Sequence, residues 1–387
     1  MIRYCLKESE KKICKDMWKL IFSDDDNYVD WYFENIHEDK NLLIHSKNEI
    51  IDGMMYENRY KVSVENEIVD TDYLVAVAVA PFNRGEGVMK KLLSKSMLNA
   101  KLNGKEFQVL TPVDSNIYKK IGYSYVSKLL FYKTELKNLE SIKKEFSVRE
   151  INKNNLEKKD LEKLLEIYIE SMKEYDMFIQ KNLENIKKSV SELFEENGKI
   201  FICEDKNKHP QAYVYFFKNE NIFVKEFLFK SIKSAKSLLS VFGGFSNYCK
   251  NIEFVIGEGT YLEDILQIDK KLEKKVKEKF QLRVLDPLRV LKRFSKKLSS
   301  KDEIVIEIID NVIEENNVRV LVGNNIVEKT DRDWDLKINI EIFSKLFYGY
   351  RGIKDILKME EAILKNEEKL SILEKIKKIK SYFNQDF

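Results

Sequence analysis

The stretch 75–93, VAVAVAPFNRGEGVMKKLL, restricts the possible folds of this chain more than any other. Its apolar run lacks polar alternation, as in a strand covered on both faces. A turn with Pro81, Asn83, Arg84, Gly85 and Gly87 follows, and then Val88, Met89, Leu92 and Leu93 recur at helical spacing. A helix over 86–102, closed by Asn103-Gly104, is expected. The first turn of any helix has amides without intrahelical partners, so a strand, a glycine turn and a helix start make a phosphate cradle. Glycine count alone leaves an ordinary tight turn equally open. A dinucleotide fingerprint would need GxGxxG and an acid after a second strand, and a P-loop would need Gly-Lys-Ser or Gly-Lys-Thr. Neither is present, while Arg84 adds a cation and Pro81 suits a strand splayed from its neighbour. The diphosphate of coenzyme A is left as the leading ligand.

Composition removes several function classes. Lysine and arginine total 68 against 65 acids, and the net charge of +3 gives no global field toward nucleic acid or membranes. No apolar run approaches the roughly 18–20 residues that span a bilayer. The charged N-terminal stretch lacks the apolar core of a secretion signal. Cys5, Cys14, Cys203 and Cys249 form no CxxC pair, and His37, His45 and His209 lie far apart. Free buried thiols in a cytoplasmic protein, and no metal site, are the expectation.

At 387 residues the chain exceeds one typical domain of ~150. Residues 3–37 read as helical, with a break at 23–27. Strands are expected at 41–46 and 49–64, joined at Lys47-Asn48, then at 72–80, 107–110 and 123–136, with a short helix near 114–120. This is an α/β domain over 1–136. A second domain, 146–287, repeats the order: helices at 155–173 and 181–196, strands at 199–204, 211–217 and 222–229, a helix at 231–250 and a strand at 252–257. It lacks the proline-then-RGxG turn. The Lys/Glu-rich stretch 269–279 reads as a solvated helix face. A third domain, 288–387, reads as strands at 303–309, 318–322 and 334–340, then helices at 341–348, 353–358 and 369–380. The fold class is α/β in the mixed α+β sense.

The turn Arg84-Gly85-Glu86-Gly87-Val88-Met89, after a V-x-P strand end at Val79-Ala80-Pro81, resembles the pyrophosphate-binding motif of the GCN5-related N-acetyltransferases, the GNAT superfamily. Met89 stands where Gly or Ala is usual, which looks like the enhanced intracellular survival (Eis) branch. Ile117-Tyr118-Lys119-Lys120-Ile121-Gly122-Tyr123 resembles that branch's I-Y-x-x-F-G-Y segment, with Ile121 for the usual Phe. Leu282-Arg283-Val284-Leu285-Asp286 resembles its R-V-x-D approach to a sterol-carrier-like third domain. The length, the three-part layout and the terminal Phe387 agree as well. The resemblance implies tandem GNAT-like domains, the second degenerate, followed by a sterol-carrier-like α+β domain.

Acetyl transfer from a thioester to an amine needs a polarised carbonyl, a neutral amine and a proton for the departing thiolate. The resemblance implies that Val77, Ala78 and Val79 offer backbone groups to the pantetheine arm and thioester. Gly85, Glu86, Gly87, Val88, Met89 and Lys90 would hold the diphosphate, Arg84 would add charge, and Val113 and Asp114 would touch the cofactor from the next loop. Tyr118 matches the family's general acid, since a phenol of pKa near ~10 can protonate a thiolate whose conjugate acid lies near ~8.5. The carboxylate of Phe387 matches the branch's general base. Asp24, Asp25, Asp26, Trp31 and Asp386 are candidates for acceptor binding. The implied protein is an acetyl-CoA-dependent N-acetyltransferase for primary amines of polycationic small molecules such as aminoglycosides. A homo-oligomer is expected, because the family assembles as hexamers. Two rival readings stay open: a protein-lysine, peptide or polyamine acceptor, and a non-catalytic acyl-CoA- or lipid-binding protein.

Overall fold

In the computed structural model, which describes residues 1–266 and 272–384, the long hairpin of Ile50–Val64 and Glu67–Val79 is the spine of a first sheet. Ile2–Tyr4 and Leu42–Lys47 extend it on one side, and Phe107–Leu110, Gln281–Val284 and Ser124–Tyr125 on the other. Met177–Ile179 pairs with the C-terminal end of Ile50–Val64 and carries Ser381–Tyr382 on its other edge. Helices Glu8–Ile21 and Asp26–Asn35 cover one face through Trp18, Val29, Tyr32 and Phe33. Helix Val88–Leu102 covers the other through Val88, Leu92, Leu93 and Met97. Leu42 and Ile44 point to the first core and Leu43 to the second, the period-two alternation of a strand clad on both sides. The segment 3–37, read as helical from its start, opens instead with the edge strand Ile2–Tyr4.

The single strand expected over 123–136 is two strands in different sheets. Ser124–Tyr125 stays in the first sheet, while Lys128–Glu135 pairs with Asn251–Gly257 and Glu273–Glu278 in a second. Gln281–Val284 returns from the second sheet to lie between Phe107–Leu110 and Ser124–Tyr125. The two units therefore exchange strands. Pairing partners are a tertiary matter that apolar runs of this length do not specify.

The second sheet orders Glu273–Glu278, Lys128–Glu135, Asn251–Gly257, Ile222–Phe229, Pro210–Lys218, Lys199–Glu204 and Ser147–Ile151. It repeats the first in having an antiparallel hairpin, a crossover helix Ile232–Gly243 and a parallel partner strand. Here the helix start differs. The Ser231 hydroxyl accepts from the Ser234 amide, closing with a side chain what a glycine start leaves open. Glu273–Glu278, expected within a helix face, is an exposed edge strand whose charges discourage further pairing; residues 269–271 of that expectation lie outside the described residues.

The third sheet orders Ile326–Lys329, Val318–Gly323, Glu303–Ile309, Leu336–Asn339 and Ile363–Leu364. Its core is continuous with that of the first: Phe107, Leu282 and Val284 pack with Ile304, Ile306, Phe343 and Phe383. The helix expected over 369–380 shrinks to Leu370–Leu373. Downstream, the Ile379 amide bonds to the Gly349 carbonyl, and the chain runs extended into Ser381–Tyr382, so tertiary pairing overrides local propensity. All four cysteines are buried and free. Among the described residues no helix is long and apolar enough to cross a membrane.

Candidate active site

Glu67–Val79 and Phe107–Leu110 run parallel, but their pairing ends at Leu74 opposite Leu110. Beyond that point Glu67–Val79 stays bonded to Ile50–Val64, whereas the other strand has ended. Against Ile50–Val64 the register shifts. Tyr56 faces Val75 and Met54 faces Ala78, so Ala76 and Val77 lie opposite Met55 alone. This is a β-bulge, with Ala76 at φ +50°. A non-glycine residue in that region carries strain of about 1–3 kcal/mol, which only a determining environment sustains. Val75, Ala76 and Val77 line a cleft of about 520 Å³ between the splayed strands. Ala78 is buried toward the first two helices.

The glycine turn leads from this strand. Gly85 and Gly87 take φ +87° and +74°, and a β-carbon on either would meet nothing within 4 Å. Glycine is needed there for backbone conformation, not for space. The helix starts at Val88 and not at 86, because Gly87 in the left-handed region is its cap. No side chain caps it, and Lys91 N–H donates to the Gly87 carbonyl at 3.0 Å. The amides of Val88, Met89 and Lys90 therefore point out of the helix start. Glu86 ion-pairs with Lys47 of the neighbouring hairpin at 3.0 Å, and the Arg84 side chain is exposed. Outward amides, open space and a cation fit a diphosphate.

After the strand Phe107–Leu110, Asp114 caps the helix Ser115–Lys119 by accepting from the Asn116 amide at 2.9 Å, and does not itself line the cleft. Its carboxylate is thereby used locally, while Val113 stands exposed on the rim. Tyr118 is 6% exposed and meets the Tyr123 ring edge-on at 6.0 Å. Burial pushes its phenol up to about 12, with no hydrogen bond or charge contributing. It holds its proton at neutral pH, the state a general acid needs.

The acceptor candidates divide. Asp24 lines the cleft and accepts from the Trp18 indole at 2.8 Å. Asp25 lines it too and caps the next helix through the Asn27 amide. Asp26 does not line it and lies 3.7 Å from Lys19. Trp31 is buried, with its indole donating to Ser191 at 3.0 Å, so it docks the first unit on the second. The cleft is also lined by residues that the sequence does not announce. Glu192 and Glu196 come from the second unit, with Lys225 at 3.5 and 3.9 Å from them. Their one-turn spacing looks like any solvated helix face until the two units are packed together. Asp386 and Phe387 lie outside the described residues. The chain leading to them is fixed as far as Asn384, whose amide donates to the Lys225 carbonyl.

The two parallel strands thus part at their ends, with uncapped helix-start amides following one and the buried Tyr118 phenol following the other. The chain matches the acetyltransferase (GNAT) domain family over residues 3–126, which stop where the strand exchange begins. Its whole fold is similar to that of a probable N-acyltransferase from Enterococcus faecalis V583, at 14% identity over 98% of this chain and 97% of that one, with a TM-score of 0.83. It is similar to a GCN5-related N-acetyltransferase from Kribbella flavida at 16% identity over 100% and 98%, with a TM-score of 0.78. It is also similar to Eis1 from Mycobacterium abscessus at 13% identity over 100% of both chains, with a TM-score of 0.75. At these identities the likeness is one of fold. No curated protein matches the sequence.

Proposed function

We propose that the chain is an Eis-type enzyme that moves the acetyl group of acetyl-CoA onto primary amines of polycationic small molecules such as aminoglycosides. The observation that carries this reading is the buried Tyr118 phenol in a cleft that Asp24, Asp25, Glu192 and Glu196 also line, with Lys225 as the lining cation beside the two glutamates. Four acids against one lysine in the lining draw in a multiply charged amine, and the outward amides at Val88–Lys90 fit the donor's diphosphate. The amine nitrogen attacks the thioester carbonyl directly. A C–N bond forms, the C–S bond breaks, and the Tyr118 proton passes to the departing sulfur. The nitrogen's surplus proton passes to the Phe387 carboxylate, which Tyr118 reprotonation through solvent then balances. Three residues past Asn384 reach at most about 10 Å, enough to serve a cleft already lined by Lys225.

In this reading residues 1–136 perform the transfer. Residues 146–287 are a degenerate copy that completes the acceptor wall. Residues 288–387 are a sterol-carrier-like unit whose tail supplies the base, and the enzyme is a cytoplasmic homo-oligomer. Thiol release from acetyl-CoA, measured with kanamycin, spermine and lysine peptides as acceptors, tests the assignment. Turnover fastest with kanamycin is expected. Turnover confined to peptides or spermine moves the acceptor class, and no release with any amine leaves a binding protein.

A further inference from the structure

A helix of five residues does not hold its own direction. Ser115–Lys119 is little more than one turn, too short for backbone bonding to offset the cost of nucleation. Tyr118 must therefore be aimed by contacts from outside its helix.

One such contact comes from Arg283, on the strand exchanged into the first sheet, and acts on the turn that follows Tyr118. Arg283 is wholly buried, and its Nε–H donates to the Ile121 carbonyl at 2.8 Å. The Ile121 and Tyr123 amides in turn both donate to the Tyr118 carbonyl at 3.1 Å. On its other side, Nη2 of Arg283 donates to both carboxylate oxygens of Asp310 at 2.7 and 2.9 Å, and Nη1 to the Val284 carbonyl at 2.7 Å. Asp310 is itself fixed by the amides of Val312 and Ile313 and by the Asn316 side chain. At the opposite end of the short helix, Gln281 of the same strand reaches the Ser115 carbonyl at 3.4 Å. The Asp310 carboxylate pairs the buried charge. The charge-assisted bond to Ile121 is additional, and it falls on the turn that carries Tyr118.

We propose that Arg283 is a positioning residue for Tyr118: anchored on Asp310 of the third unit, it fixes the Ile121 carbonyl and so aims the Tyr118 hydroxyl at the sulfur of the donor thioester. Gln281 is the second point of this clamp. The inference rests on Tyr118 being the general acid. A misplacement of about 1 Å at such a group costs about 100-fold in rate, so small shifts of the turn are felt.

The test is a double-mutant cycle of Arg283→Lys and Tyr118→Phe, read as steady-state thiol release with acetyl-CoA and kanamycin. Lysine keeps a charge for Asp310 and loses the Nε donor. Arg283→Lys is expected to lower kcat about 10- to 100-fold while the KM for acetyl-CoA stays near its original value. In the Tyr118→Phe background the same substitution is expected to leave kcat almost unchanged, because no acid remains to be aimed. Equal losses in both backgrounds, or no loss in the parent, overturn the inference. Full kcat in Tyr118→Phe alone removes the acid assignment instead, a separate failure. If Arg283→Lys does not fold, the pair Arg283→Met with Asp310→Leu removes the buried charges together and enters the same cycle, as does Gln281→Met.

Discussion

The Asn384 side-chain amide lies 2.6 Å from the carbonyl oxygen of Lys225, a residue that lines the same cleft as Tyr118. The tail arrives there on fixed anchors. Ser381 donates to the Val126 carbonyl at 2.8 Å, Tyr382 donates to Glu226 at 3.1 Å, and Phe383 packs against Phe280 at 5.1 Å. A change made after residue 384 leaves these anchors intact. One residue added after Phe387 is therefore expected to lower kcat by about 100-fold or more, the scale of general base catalysis, with unchanged thermal stability. Thiol release and a melting curve on the same sample check it, and full activity in the extended chain would refute the base role.

Tyr118→Phe removes only the hydroxyl and is expected to cost about 100- to 10,000-fold in kcat. The pH dependence follows from burial. With the phenol pushed up to about 12, its proton is retained through pH 10, so this group imposes no alkaline loss of kcat below about pH 11. The folded-state value lies above the ordinary one near ~10. The stability contributed by the neutral buried phenol is thus fully present below pH 10 and is lost as pH rises toward 12. An alkaline limb of kcat near pH 8–9 that disappears in Tyr118→Phe would contradict this.

Gly87→Ala isolates the backbone demand of the cradle. The added methyl meets nothing within 4 Å, yet φ +74° burdens an L-residue by about 1–2 kcal/mol. If the turn relaxes to shed that strain, the outward amides lose their alignment. The KM for acetyl-CoA is expected to rise about 5- to 30-fold, the rate equivalent of that energy, while kcat at saturating donor holds. Steady-state kinetics with varied acetyl-CoA decide it, and a fall in kcat with unchanged KM would place the turn in the chemistry instead.

The cradle and Tyr118 are legible in the sequence because each is local: the glycines at 85 and 87 state a backbone conformation, and Tyr118 sits in a continuous motif. The bulge is less so. Ala76 is an alanine inside an apolar run, and only pairing with Met54 and Tyr56 reveals its left-handed backbone. Trp31 misleads for a related reason, since an indole near an acidic loop suits a cleft as well as the interface with Ser191 that it occupies. Glu192 and Glu196, and the link from Arg283 of the Leu282–Asp286 motif to the Tyr118 turn, become visible only once the second unit and the exchanged strand are in place. Contacts of that kind join positions more than 150 residues apart, such as Arg283 and Ile121, and no period or composition encodes them.

Glu192→Gln and Asp24→Asn test whether the acids lining the cleft select the acceptor. Each substitution keeps the shape and removes one negative charge, one from each of the two units that line the cleft. Glu192 is 4% exposed, so its field is little screened by salt, whereas Asp24 stands in the more open loop. Loss of a hydrogen bond to a charged partner is worth about 1.5–3 kcal/mol. The KM for kanamycin is therefore expected to rise about tenfold or more for each substitution, with the KM for acetyl-CoA unchanged. The loss for Glu192→Gln persists at high ionic strength, and that for Asp24→Asn shrinks. A monoamine acceptor carries a single charge, so its KM moves much less in both variants. Equal effects on the monoamine and the polycation would mean that the acids shape the cleft without reading the charge of what enters it.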